Sequence, residues 1–465
     1  MRMDLVISGG TVVTASDVFR ADVGISGQQV VAIGQGLAGQ ETIDASGMFV
    51  LPGAIDPHVH LQYPQGPVPH VSSDNWASGT RAAACGGTTA VIDFVEAGPG
   101  QTLVEAFRRR REQADPQVVV DYGLHVTLNR ADRETLAELE EVMAAGATSF
   151  KLYMAYDNLR LDDGQFLAAL EALRVHNGLP IVHAENHFAI KHLARRELAA
   201  GHTAPRYFPR TRPDVMEGEA TARALALAEL VGLPVYIVHV SCARALRAVA
   251  QAQERGQPAY GETCPHYLLL ADDLYDRDGF EPAKYVMSPP LRKVADQEAL
   301  WRGLARTVLQ VVATDHCPFF FRGQKDRDPD DFTKIPGGAA GVETRLPLLY
   351  TYGVRRGRLT LSRWVDVCCT APARLFGLYP QKGTLAPGSD ADVVVFDPDL
   401  EVTLSHRTLH QNVDYTPYEG FELRGYPLHV LSRGEVVVRD GAFVGEKGRG
   451  RFLRRRPFDL QPAAE

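Results

Sequence analysis

The chain has 465 residues, 45% of them hydrophobic and 23% charged, with a formal net charge of −8. That is ample material for one large core with an accessory unit, and it excludes the basic field that nucleic acid or an anionic membrane would attract. Six cysteines without CxxC pairs, a start "MRMDLVISGG" with no apolar segment, and no run of membrane-spanning length imply reduced thiols, a cytoplasmic location and no membrane partner.

Residues 1–52 read as short strands punctuated by glycine turns: "DLVISGGTVVTAS", "ADVGISGQQVVAIG", "ETIDASGMFVLPG". From 383 onward the same texture returns in "GTLAPGSDADVVVFDP" and "PLHVLSRGEVVVRDGAFVGEKG". The two segments, 1–52 and 383–465, are expected to build one small β-sandwich from both termini, with a tail after it. Between them, at 53–382, apolar β-branched runs alternate with helical patterns. The strand candidates are 53–60, 88–94, 121–127, 148–153, 180–185, 234–240, 258–264 and 310–316, with helices between them such as 133–146 and 243–256. Eight βα units predict an α/β fold, a (β/α)8 TIM-like barrel. A doubly wound sheet is the alternative, and the count of eight favours the barrel.

Barrel enzymes place chemistry at the C-terminal ends of their strands. Those ends carry His58 and His60 on the first strand, Lys151 on the fourth, His183 on the fifth, His239 on the sixth and Asp315 on the eighth. Period-2 geometry points His58 and His60 to one face, and puts Lys151 opposite Phe150 and Leu152. Singly, each has a plain structural reading: an HxH pair on a strand is more often incidental, a lone strand histidine is usually a satisfied core residue, and Asp315 could cap a helix. Together, imidazoles and a carboxylate at the ends of predicted strands form a divalent-metal ligand set. A protonated Lys151 would be repelled by such metals. Its neutral amine can react with CO2 to give a carbamate (N6-carboxylysine), an anionic two-oxygen ligand able to bridge two ions. The competing reading is a lysine that snorkels to solvent or pairs with Asp315.

The motifs "PGAIDPHVHL", "GGTTAVIDF", "TSFKLYMAY", "IVHAEN", "VHVSC", "GETCPHYLLL", "YVMSPPLR", "VATDHCPF" and "NVDYTPYEGFELRGYP" make the chain resemble, over essentially its full length, the hydantoinase/dihydropyrimidinase group of the metal-dependent amidohydrolase superfamily. The resemblance implies two divalent metal ions per subunit, zinc in most relatives, with manganese, cobalt or nickel also fitting the ligands. His58, His60 and Asp315 would hold the more buried ion, His183 and His239 the other, with carboxylated Lys151 between them. It implies that a hydroxide shared by the metals attacks a ring amide carbonyl, that Tyr156 stabilises the oxyanion, and that Asp315 moves the proton to the leaving nitrogen. Ser288 matches a residue whose main chain holds the ring amide, and Gly337 falls where relatives commonly carry Asn. The product would be an N-carbamoyl amino acid, and the assembly a homotetramer or homodimer.

For substrate, dihydroorotase-like relatives place Arg two residues after the second histidine; here that position is Gln62, so a bidentate carboxylate contact is missing. Small cyclic amides or ureides remain, with hydantoin and 5,6-dihydropyrimidine rings favoured over allantoin. A non-catalytic scaffold of the same fold is the alternative of another class, and the six ligand residues argue against it. The loop 61–76 departs from the group, offering Tyr63, Pro64 and Gln65 where relatives often place bulky apolar residues. Several other features receive plain readings. His316 is expected to pack behind the site, and His187 and His266 are assigned no contact. The cysteines are assigned packing at most, "RRRR" at 108–111 a solvated helix face, and "FLRRRPF" at 452–458 a tail on the surface or on a neighbouring subunit.

Overall fold

The computed structural model describes residues 3–65 and 70–458. Of the loop 61–76, residues 66–69 therefore lie outside the described part, as do 1–2 and the last seven of the tail. Among the described residues no helix is long and apolar enough to cross a membrane.

Eight parallel strands follow one another around a ring: β1 (Ala54–Val59), β2 (Thr88–Val95), β3 (Asp121–Thr127), β4 (Ser149–Tyr153), β5 (Leu179–His183), β6 (Val235–Ile237), β7 (Ala259–Thr263) and β8 (Val311–Val312). Each is hydrogen-bonded to its successor, and a parallel bridge between Val59 and His316 joins the last strand region to the first. This consecutive order settles the choice in favour of the barrel. The strands read as continuous apolar runs because both faces are covered. Inward-facing Ala90, Ile92, Phe94, Ile181 and Tyr236 form one apolar cluster. Their neighbours Val91, Val95 and Val182 pack outward with the helices, as do Phe150 and Leu152, which turns Lys151 to the interior. Strands β6 and β8 are shorter than their apolar runs: His239 and Asp315 lie two or three residues beyond the ladder, at positive φ, where pairing cannot continue.

The two ends of the chain meet. A seven-stranded sheet runs in the order Ala442–Phe443, Glu435–Arg439, Glu422–Ser432, Val393–Thr403, Phe49–Pro52, Thr11–Val13, Val18–Arg20, and a four-stranded sheet in the order Gln29–Gly34, Asp22–Ser26, Met3–Ser8, Gly39–Asp44. Their facing residues, Ile7, Val23, Ile25 and Val30 from one and Val12, Val50, Val393, Val395 and Leu431 from the other, share one core. Lys382 ties this layer to the start of β3: its ammonium lies 2.6 Å from Asp121, 2.7 Å from Asp392 and 2.9 Å from Asp390, all buried.

Two arginine runs correct the surface readings. In helix Leu103–Ala114, Arg110 turns inward, bonds Asp93 and the Leu61 carbonyl, and lies 4.5 Å over the Trp76 ring. In the tail, Leu453 and Arg455 are buried beneath the barrel. Leu453 N donates to the Tyr122 carbonyl (2.7 Å), and the Arg455 guanidinium reaches Ser149 Oγ (2.6 Å) and the Leu124 carbonyl. The tail runs so close to Gly377 that a Cβ there would sit 2.1 Å from the Arg456 carbonyl oxygen, at a φ of +71°. A charge run is solvated on average, but single arginines in it can serve as buried fasteners when carbonyls and a carboxylate await them.

Candidate active site

The C-terminal strand ends bring together five of the six residues of the expected ligand set by direct approach. Asp315 Oδ1 lies 3.1 Å from Nε2 of both His58 and His60. His183 Nδ1 faces His239 Nε2 at 2.9 Å. The two pairs form one site, because the rings of His58 and His239 are 5.6 Å apart. Lys151 is the sixth. Its Nζ stands 5.0 Å from the Phe94 ring centroid and 5.2 Å from that of Tyr153. Phe94 stacks on His60 at 4.5 Å, and Tyr153 lies 5.6 Å from His183, so the amine sits between the two histidine pairs.

Second partners fix which nitrogen each imidazole presents. His58 Nδ1 bonds Glu262, whose other oxygen accepts from the Tyr236 hydroxyl at 2.7 Å. That leaves His58 Nε2 buried without a hydrogen-bond partner among the described residues, 3.1 Å from Asp315 Oδ1. His183 Nε2 bonds Glu185 at 2.8 Å, leaving Nδ1 turned to His239. Glu185 also accepts from Arg212. Burial favours its neutral form, yet Arg212 and His183 hold its carboxyl down at about 2. Glu262, Glu185 and Arg212 received no role from the sequence, although the first two stand in quoted motifs.

The electrostatics suit cations. Burial lowers the basicity of His60, His183 and His239, with Asp315 opposing it at His60 and His239 and Glu185 at His183. Burial would raise the Asp315 carboxyl, but His58, His60 and His239 around it hold it well below the usual carboxylate range. Burial brings the Lys151 amine down to about 8 against the pull of Asp315 and Glu262, and it forms no hydrogen bond or ion pair among the described residues. Imidazole lone pairs, one carboxylate and a reactive buried amine fit a pair of divalent cations in donor type and number.

The remaining predicted residues line the same mouth. Tyr156 follows β4 in a turn at φ 74°, its ring 5.1 Å from that of His183. Burial pushes its phenol up to about 12, with Arg212 and then Ser288 among the groups that oppose the rise. Gly337 lies beside Ser288: a Cβ added there would be 3.8 Å from Ser288 Oγ. Tyr156 (74°), His239 (39°) and Asp315 (48°) all hold left-handed backbone without being glycine, a strain that surrounding structure must impose. His316 packs behind the site as expected, between Asp74 (3.1 Å) and the Gly341 amide (3.1 Å). All six cysteines are buried and unpaired.

Residues 49–437 match the amidohydrolase family. The chain is 45% identical over 460 residues to a D-hydantoinase of Geobacillus stearothermophilus, covering 98% of this chain and 97% of the relative. Among solved structures it is similar to a D-hydantoinase from a Bacillus sp. AR9 (49% identity, TM-score 0.96, covering 98% and 100% of the two chains). It is also similar to a dihydropyrimidinase from Brevibacillus agri NCHU1002 (48% identity, TM-score 0.97, covering 99% and 100%).

Proposed function

The chain belongs to the amidohydrolase family, within its hydantoinase/dihydropyrimidinase group, and from that premise we propose that it is a binuclear metal-dependent hydrolase opening hydantoin or 5,6-dihydropyrimidine rings to N-carbamoyl amino acids. The observation that carries this reading is the convergence of His58, His60, His183, His239 and Asp315 around the buried amine of Lys151.

In this reading His58, His60 and Asp315 would hold one cation and His183 and His239 the other, and Lys151, once carboxylated by CO2, would complete the ligand set. The ions, zinc by preference with manganese, cobalt or nickel also fitting the ligands, would supply a water ionised near neutral pH and Lewis acidity toward the amide carbonyl. The protein's residues do the rest. Backbone groups at Ser288 and Gly337 seat the ring amide. Tyr156, a firm proton donor at neutral pH, hydrogen-bonds the carbonyl oxygen as it gains charge. Asp315 takes the proton from the attacking water and hands it to the ring nitrogen as the C–N bond breaks, acting as base and then acid. Glu262 and Glu185 keep His58 and His183 presenting one fixed nitrogen. Assembly as a homotetramer or homodimer and a cytoplasmic setting complete the reading, the latter supported by the six unpaired cysteines.

The test is ring opening of dihydrouracil, hydantoin, 5-substituted hydantoins and allantoin, alongside metal analysis, for the wild type and Lys151→Ala. The expected result is about two metals per chain and turnover of the first three classes. The variant should lose most metal and activity and regain part of the activity with a short carboxylic acid. Wild-type protein holding far less than one metal, with no gain on added zinc, would overturn the enzyme reading. Unchanged turnover in the variant would remove Lys151 from the bridge.

A further inference from the structure

Arg212 stands in a buried cluster of charges beside the site. It follows the short helical turn Pro205–Thr211 and is only 9% exposed. Its Nη1 donates to Glu185 Oε2, the same oxygen that meets His183 Nε2 at 2.8 Å. Its guanidinium carbon also lies 5.6 Å over the Tyr156 ring and 5.4 Å over that of Phe208. One cation thus meets both the carboxylate that orients His183 and the ring that carries the proposed oxyanion donor.

The guanidinium is itself braced. Arg292 Nη1 donates to the Arg212 carbonyl at 2.6 Å, while its Nη2 reaches Glu217 Oε2 at 2.8 Å and its Nε reaches Ser241 Oγ at 3.0 Å. Ser241, two residues after His239, donates its amide to Glu217 Oε1 at 2.9 Å. Arg212, Arg292, Glu185 and Glu217 are all buried, two cations balanced by two carboxylates. Taking four charges out of water is expensive, and a neutral amide could orient His183 at lower cost. The charge therefore calls for a second use, and Tyr156 offers one. Its backbone is held at φ 74°, so its ring is aimed by what packs on it: His183 at 5.1 Å, Tyr153 at 5.9 Å and the guanidinium. A cation within about 6 Å of an aromatic face is attracted to it. It also draws electron density from the phenol, which strengthens the O–H as a donor to an oxygen gaining charge.

We infer that Arg212 is a positioning residue that aims two groups at once: the Tyr156 hydroxyl toward the substrate carbonyl, through the ring face, and the His183 imidazole toward its cation, through Glu185. The inference rests on the ring-opening reading above and deepens it. Because one guanidinium fixes both, the oxyanion donor and the metal-facing nitrogen keep their places relative to each other. Arginine suits the task, since its fork grips a carboxylate while its flat face lies on an aromatic ring; a lysine supplies only a point charge.

The test is a double-mutant cycle on ring opening in excess zinc, with wild type, Arg212→Met, Tyr156→Phe and the double variant, together with the zinc affinity of each protein by competition with a chelator. Arg212→Met should lower kcat about tenfold with KM within a few-fold, but by less than about twofold once the Tyr156 hydroxyl is gone. Arg212→Met should also bind zinc about tenfold more weakly, and Tyr156→Phe as tightly as wild type. A brace that merely held up the fold would give the same factor in both backgrounds. Arg212→Lys keeps the balance of buried charge and takes the place of the methionine variant in the cycle if that variant does not fold; it should show smaller losses of both kinds. Equal losses with and without the hydroxyl, or an unchanged zinc affinity in the folded Arg212 variant, would overturn the inference and leave the ring-opening reading standing. Failure of the wild type to open hydantoin or dihydrouracil would take both down.

Discussion

Replacing Lys382 with methionine would keep the volume of the side chain and remove the ammonium that Asp121, Asp390 and Asp392 share at 2.6, 2.9 and 2.7 Å. Asp121 retains a partner, since Arg433 Nε donates to it at 3.0 Å. Asp392 is left with backbone and no cation, and burial already raises its carboxyl. The variant must therefore take up a proton on folding that the unfolded chain does not bind at neutral pH. Protonating an ordinary carboxylate of pKa about 3.9 at pH 7 costs about 4 kcal/mol, within the 3–5 kcal/mol known for breaking buried pairs. The sign follows from linkage: the folded variant binds one proton more than the unfolded chain. Relative to wild type its stability then falls by about 1.4 kcal/mol per pH unit from pH 4 upward, and the deficit at pH 5 is only about 1.5 kcal/mol. For a chain of this length, an unfolding entropy of about 1 kcal/mol/K turns these into drops in thermal midpoint of about 4 °C at pH 7 and 1–2 °C at pH 5. Differential scanning calorimetry at the two pH values measures both, and adding Asp392→Asn should recover most of the loss at pH 7. A drop that is the same at both pH values, or below 1 °C at pH 7, would refute the argument that an uncompensated carboxylate is the cause.

Two further outcomes are expected. Tyr156→Phe should lower kcat for hydantoin by about 10²–10³ with KM within a few-fold; an unchanged kcat would mean that the hydroxyl does not meet the developing oxyanion. Lys325 is fully buried, donates to the Val286 and Pro336 carbonyls at 2.9 and 3.0 Å beside Ser288 and Gly337, and is brought down to about 7 by burial. The unfolded chain thus binds the extra proton between pH 7 and about 10.5, so this group makes stability rise with pH there. Lys325→Met should flatten that rise in urea titrations and increase KM several-fold; an unaltered pH slope would refute it.

The eight strands could be read because a strand covered on both faces must be apolar throughout, so a histidine, lysine or aspartate inside such a run stands out against its neighbours. That contrast exposed His58, Lys151, His183, His239 and Asp315. It did not assign Glu185, because a carboxylate just after a strand has the look of a helix cap, or Glu262, a strand carboxylate whose partner imidazole is seen only across the barrel. Arg110 and Arg455 were hidden by their own neighbours: in a run of arginines nothing marks the one that turns inward, and Asp93 and Ser149 meet them only in three dimensions. Positive φ at Tyr156, His239 and Asp315 had no glycine to announce it.

The floor of the barrel also has a bearing on how the molecule comes into being. Arg451 and Arg455 bond to Asp121 and Leu124 across 330 and 331 positions, so the strands they brace leave the ribosome long before their braces are made. At ordinary rates of synthesis that interval is roughly 20–60 s. Throughout it β3 and β4 wait with their lower ends open, and Phe49–Pro52 waits for Val393–Phe396 in the same way. A nascent chain halted before residue 451 would already hold every proposed metal ligand and still lack its floor, so the site is complete as a list of residues well before the fold that supports it can close.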